Sequence, residues 1–140
     1  MFELNYDLET IYRFLNERTP SVRRIEGAAG FCLRDGAEVK AAALFYDFNG
    51  HGMWAHIALA SDGSLTRPFL RAFLRYPFWV CGAEALRGQV SASNVRLRNL
   101  AKRLGAVEEA VLLGAGHGGE DLVICTLFKK ELKYEPMALQ

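Results

Sequence analysis

The sequence has no surplus of either charge: 17 Lys and Arg stand against 16 Asp and Glu, a formal net charge of +1 over 140 residues. That balance supplies no bulk field for nucleic acid or an anionic membrane, so any electrostatic site has to be local. Cysteine is scarce. Cys32, Cys81 and Cys125 are odd in number and widely spaced, which fits neither a disulfide framework nor a C-x-x-C metal or redox motif. Cys32 and Cys125, set in apolar runs, read as small core residues. No apolar run approaches the length of a membrane span. The start, Met-Phe-Glu-Leu-Asn-Tyr-Asp, lacks the basic residues and long apolar stretch of a secretory signal, so a cytoplasmic location is expected. Internal repeats and low-complexity segments are missing too.

What is present is the composition of an ordinary globular protein, 51% apolar and 24% charged. A chain of this length buries a core without disulfide or metal support, so residues 1–140 are expected to form one domain. Asp7 is placed to cap a first helix, in which Leu8, Ile11, Tyr12 and Leu15 share a face. Phe31 to Leu33 and Val39 to Phe48 flank Asp35-Gly36 and read as a hairpin. After Asn49-Gly50-His51-Gly52, a third strand runs from Met53 to Ala60 and is expected to pair with the one before. The polar stretch Ser61 to Pro68 leads into a second helix, Phe69 to Tyr76, with proline suited to its first position. Pro77 should kink or stop that helix. A strand from Leu86 to Ser91 precedes a helix capped by Ser93 or Asn94, with Leu97, Leu100, Ala101 and Leu104 on one face and Gly105 as its left-handed end. Val107 to Leu113 and Leu122 to Phe128 close the chain as a hairpin, and the tail after Tyr134 reads as loosely attached.

Several motifs fail on context. Gly114 to Gly119 spells G-x-G-x-x-G, yet a strand rather than a helix follows it, so no helix N-terminus would face a pyrophosphate; a hairpin loop is the better reading. His51, His56 and His117 show no metal-ligand spacing, and no metal is expected. Neither Ser61 nor Ser64 lies in a G-x-S-x-G elbow, and Cys81 has no catalytic signature around it. Arg67, Arg71 and Arg75 recur every fourth residue, a stripe that reads first as a solvated face. With Arg96, Arg98, Lys102 and Arg103 it could suggest nucleic acid, but the near-neutral total weighs against that partner. Arg67 stands apart because it sits at a helix start, where backbone donors already favour an anion.

The order of elements from the third strand through the loop, helix, strand, Asn94 helix, Leu104-Gly105-Ala106 and closing hairpin resembles the GNAT N-acetyltransferases over roughly residues 30 to 130. Phe73-Leu74-Arg75-Tyr76-Pro77-Phe78 is similar to the corresponding family helix. The resemblance implies an α/β (α+β) fold, a mixed and mostly antiparallel sheet flanked by helices with a cleft between two splayed central strands. It implies acetyl-coenzyme A as cosubstrate, held by Leu59, Ala60, Ser61, Ser64, Leu65, Thr66 and Arg67 and by Asn94. Acetyl transfer to an unidentified small-molecule or peptide amine would proceed by direct attack, with a backbone donor on the strand ending at Ala60 polarising the carbonyl. His56, on that strand, is the candidate proton acceptor, with Tyr46 a weaker one. Two departures stand out. The family's Q/R-x-x-G-x-G/A loop signature is absent, and Ala101 occupies the place where a tyrosine often protonates the thiolate. These departures favour the alternative, a non-catalytic module of the same fold that still binds coenzyme A. Exposed edge strands leave room for a homodimer.

Overall fold

The computed structural model describes residues 2–19, 22–61 and 64–134. The described strands are β1 (Phe2–Asn5), β2 (Ala29–Asp35), β3 (Glu38–Tyr46), β4 (Gly52–Leu59), β5 (Ala85–Ser91), β6 (Val107–Leu112) and β7 (Leu122–Phe128). They form one sheet in the order β1-β2-β3-β4-β5-β7-β6. Neighbours are antiparallel except β4 and β5, which run parallel. The expected mixed, mostly antiparallel sheet is therefore what the chain builds. Among the described residues three α-helices accompany it: α1 (Leu8–Arg18), α2 (Arg67–Arg75) and α3 (Val95–Leu104).

β3 explains the longest apolar run in the sequence. Ala41, Ala43 and Phe45 face one side of the sheet, Ala42 and Leu44 the other, and all five are buried, because helices cover both faces here. On one face α1 lays Ile11, Tyr12, Phe14 and Leu15 over Cys32, Ala42, Leu44 and Ala58. On the opposite face Phe69, Phe73, Leu74 and Phe78 pack on Phe31, Phe45, Met53 and Ala55. Phe31 and Phe69 meet edge-on with ring centroids 5.4 Å apart, a favoured aromatic geometry. α3 sits farther along this second face, with Leu97 and Ala101 against Val90, Val123 and Cys125.

Local chemistry fixes the helix ends. Asp7 accepts from the Thr10 amide and hydroxyl and caps α1. Leu8, expected on the buried face, is 37% exposed; it is the first helical residue, and the contact begins a turn later at Ile11, with Phe14 completing the face. α2 starts at Arg67, two residues ahead of the expected Phe69, because the Thr66 hydroxyl caps the Phe69 amide at 3.3 Å. Pro68 is thus the second helical residue. The α-geometry of α2 ends at Arg75, and Tyr76–Val80 form a wider π turn closed by the Cys81 amide on the Tyr76 carbonyl at 2.9 Å. Proline at 77 has no amide to continue the α pattern. Asn94, not Ser93, caps α3 through the Leu97 amide at 3.1 Å. Gly105 ends the helix at φ 108°, where an added Cβ would lie 2.5 Å from the Glu131 carbonyl oxygen. The tail after Tyr134 lies outside the described residues.

One ion pair ties α3 to β6. The Arg98 guanidinium grips Glu108 with Nε at 2.6 Å and Nη2 at 2.9 Å, and its Nη1 donates to the Ala92 carbonyl at 2.7 Å. Lys102 Nζ adds a contact at 3.4 Å. The Arg98 bond is the chief reason the Glu108 carboxyl is lowered from 4.5 to about 2. A depressed carboxyl stabilises the fold fully above its unfolded value and loses that contribution as pH falls through the folded one. The melting temperature should therefore drop between pH 4.5 and about pH 2 more steeply in the wild type than in Glu108→Gln. Parallel pH profiles of the two proteins would show that the pair does not contribute.

Candidate active site

β4 and β5 pair only at their starts. Gly52, Met53 and Trp54 are opposite Ala85, Leu86 and Arg87, and beyond Trp54 the two strands separate. On the other side of β4 the ladder with β3 runs on from Trp54 to Leu59, and the Ala60 amide donates to the Lys40 carbonyl at 2.8 Å. Backbone groups alternate along a strand. With Ala60 turned to β3, Ala58 and His56 turn the same way, while the amides and carbonyls of Ile57 and Leu59 face the gap where β5 has left. A strand edge is thus open inside the sheet.

The gap is apolar on the side of α2 and α3. Ala55 and Ile57 of β4, Gly88 and Val90 of β5, Phe73 of α2 and Ala101 of α3 line a cavity of about 70 Å³. Gly88 lies just past the point of separation, and a Cβ there would stand 3.4 Å from the Ala55 carbonyl oxygen. Glycine at this place leaves the apex of the gap clear. An isolated glycine inside a strand signals close approach of another backbone or a ligand, and Gly88 is the site residue that the sequence pattern alone did not single out.

The residues expected to hold a coenzyme divide across the mouth of the gap. Leu59, Ala60 and Ser61 end β4, and Ser64, Leu65, Thr66 and Arg67 lead into α2. Asn94 stands on the far side, three residues past the end of β5. Ser64 is 2% exposed, its hydroxyl 3.2 Å from that of Ser61 and its amide bonded to the Ser61 carbonyl. The Thr66 amide donates to the Ser64 carbonyl at 3.0 Å, and its hydroxyl is taken by Phe69. Ser64 and Thr66 therefore shape the loop. Arg67 is exposed at the first helical position. Asp62 and Gly63, in the same loop, lie outside the described residues.

Arg75 is exposed like Arg67, as a solvated stripe requires, and Arg71 between them is half-buried; Arg71 and Arg75 also stand apart from the gap. They line a separate cavity of about 340 Å³ with Leu4, Tyr6, Phe31 and Tyr76, on the side of α2 toward β1. Arg67 alone of the three is beside the β4 terminus.

His56 occupies the opposite face of the sheet from the apolar cavity, because Ala55 and Ile57, its neighbours in the strand, line that cavity. It is opposite Leu44 in the ladder and stacks on Tyr46, ring centroids 5.0 Å apart and 28° between planes. Burial lowers its pKa from the usual 6.5, which keeps the imidazole neutral and able to accept a proton at pH 7. Burial first, and then the charge of Asp47, raises the Tyr46 phenol, which keeps it protonated and so without a free site to accept a proton near neutral pH, unlike His56. Next to them, at the last paired position of β5, Arg87 holds Glu109 with Nε at 2.8 Å and Nη2 at 3.2 Å, and the Thr126 hydroxyl also donates to Glu109. The Arg87 bond leads the causes that depress the Glu109 carboxyl, so this group is ionised and engaged. These partners come from three strands and are 22 and 17 residues apart, beyond the reach of any local motif.

A mixed sheet with one parallel pair that splays at its centre, a capped helix after the first strand of that pair and a second helix after the other is also the architecture of solved acetyltransferases. A mutant form of the spermidine/spermine N-acetyltransferase SpeG from Vibrio cholerae superposes with a TM-score of 0.76 at 15% identity, over 92% of this chain and 94% of that one. The chain has the GNAT fold. A T. thermophilus protein assigned to the acetyltransferases superposes at a TM-score of 0.67 and 21% identity, over 93% of this chain and 87% of that one. A chimera of V. cholerae SpeG and hSSAT gives 0.73 at 15% identity, over 92% of this chain and 96% of that one. No family model and no curated protein matches the sequence. In the GNAT fold of this chain, Ala101 lines the apolar cavity, so the departure noted in the sequence falls inside the site.

Proposed function

We propose that the chain is an N-acetyltransferase that binds acetyl-coenzyme A in the gap between β4 and β5 and passes the acetyl group to an amine. The observation that carries this reading is the open edge of β4 at Ile57 and Leu59. Ile57 and Leu59 are half-buried, so their edge groups are open to a ligand, and a chain bearing amide groups laid along them would pair with them. The residues present suit the coenzyme: an extended strand edge for amides, an apolar cavity for an alkyl arm, and at the β4 terminus a helix start with Arg67 for phosphates. Acetyl-coenzyme A would supply an activated acyl group as a thioester.

The chain's own residues divide the remaining work. Amides of Ile57 and Leu59, fixed by the ladder with β3, are donors for a carbonyl oxygen in the gap and need no rearrangement. His56, neutral through burial, accepts the proton that the amine gives up. Leu59, Ala60, Ser61, Ser64, Leu65 and Thr66 form the wall of the phosphate end, with Ser64 and Thr66 holding the loop in shape. Asn94 fixes the start of α3 across the mouth. No helix of the described residues is long and apolar enough to cross a membrane, and we place the protein in the cytoplasm with a diffusible amine as acceptor. Release of free thiol from acetyl-coenzyme A in the presence of an amine panel tests the activity; spermidine, named in the V. cholerae neighbours, belongs in that panel. Coenzyme binding without thiol release from any amine would favour the non-catalytic module, which Ala101 supports.

Arg67 separates this reading from a merely basic surface. Arg67→Ala should weaken coenzyme A binding by about 1 to 3 kcal/mol, the range for a charge-assisted hydrogen bond, and leave the unliganded stability nearly intact. Arg75→Ala, two turns on and lining the other cavity, should change the affinity less. Isothermal titration of both proteins checks this, and equal affinities would remove Arg67 from the site.

A further inference from the structure

Resting on the acetyltransferase reading, we infer that the acceptor carries its amine on a flat apolar body, an arylalkylamine rather than a polyamine, and that Tyr46, Trp54 and His56 form the surface that receives it. Strand alternation and register put the three side chains on one face. Tyr46 is directly opposite Trp54, and His56, two residues farther along β4, stacks on Tyr46. All three are half-buried and belong to neither of the cores packed on β3 and β4. The α1 core on this face stops at Leu44 and Ala58, and the rings continue from its edge. The position is what ties them to the reaction. Trp54 is the last β4 residue paired with β5, so the rings flank the apex of the gap on the side away from the apolar cavity.

Charge points the same way. A polyamine held at His56 brings a second ammonium, whose desolvation has to be offset by a carboxylate. Glu109, beside the rings on the β5 side, is already committed to Arg87 and Thr126. Asp47, whose charge reaches Tyr46, is exposed past the end of β3 and does not act on His56. Burial is the cause of the lowered His56 pKa, with no carboxylate contributing. Aromatic faces beside a neutral imidazole instead favour stacking with another ring.

The test reads binding and turnover separately. The sequence has two tryptophans, Trp54 and Trp79, so Trp79→Phe leaves Trp54 as the sole indole reporter. Phenethylamine should perturb Trp54 fluorescence saturably, and spermidine should not at equal concentration. With acetyl-coenzyme A, kcat/KM for phenethylamine should exceed that for spermidine at least tenfold, and Trp54→Leu should bring the ratio close to one. A spermidine preference, a ratio unmoved by Trp54→Leu, or no fluorescence response to phenethylamine overturns the inference. If coenzyme A still protects the protein thermally, the acetyltransferase reading survives that failure; if it does not, both fall.

Discussion

Replacing His56 with Ala should lower kcat for acetyl transfer by about 100-fold or more, the usual contribution of a positioned general base, which is about 2.7 kcal/mol of barrier. Coenzyme affinity should hardly change, because the imidazole is on the sheet face opposite the apolar cavity. The wild-type pH profile gives an independent check. Burial disfavours the imidazolium, so activity should persist below the ordinary histidine value of 6.5 and fall only as the lowered pKa is crossed. His56→Ala should lose that acid limb. The same group acts on stability: with the folded pKa lowered, the unfolded chain binds the extra proton first, so stability declines as pH falls below 6.5. Steady-state kinetics at saturating acetyl-coenzyme A, from about pH 5 to pH 9, decide the point. An unchanged kcat across that range would remove His56 from the mechanism.

Gly88→Leu should reduce coenzyme A affinity at least 30-fold, about 2 kcal/mol, because the new side chain enters the cavity of about 70 Å³ at the apex of the gap. Gly88→Ala is the control. Its Cβ would rest in ordinary contact, 3.4 Å from the Ala55 carbonyl oxygen, so affinity should stay within a few-fold of wild type. Calorimetric titration of the three proteins checks this, with circular dichroism confirming that the leucine variant is folded; the cost of overpacking is about 1 to 3 kcal/mol. A leucine variant that binds coenzyme A as tightly as wild type would place the ligand elsewhere.

How far the sequence can be read depends on the range of the interactions involved. α3 is legible almost to the residue because its cap, its apolar spacing and its terminal glycine are local signals. So is the break at Pro77, which follows from one missing amide. β1 carries only a weak signal: Phe-Glu-Leu-Asn alternates apolar and polar residues but is four residues long, and it is a strand through pairing with β2, some 30 residues away. The place of the site is legible in the order of elements, its chemistry less so. The face that His56 takes depends on the register of β3 against β4, and the open β4 edge depends on where β5 departs. The arginine stripe splits into one residue at the gap and two in another cavity, since helical spacing does not say what packs on each side.

Coenzyme A titrated into the native protein, with the melting temperature followed to millimolar ligand, bears most directly on the open β4 edge as a binding site. At about 100 times Kd a ligand bound only by the folded state adds about 2.7 kcal/mol, which for a chain of this size raises the melting temperature by roughly 5 °C or more. That rise, weakened in both Arg67→Ala and Gly88→Leu, is the expected result. A melting temperature that stays level to millimolar coenzyme A in the folded wild type would contradict it.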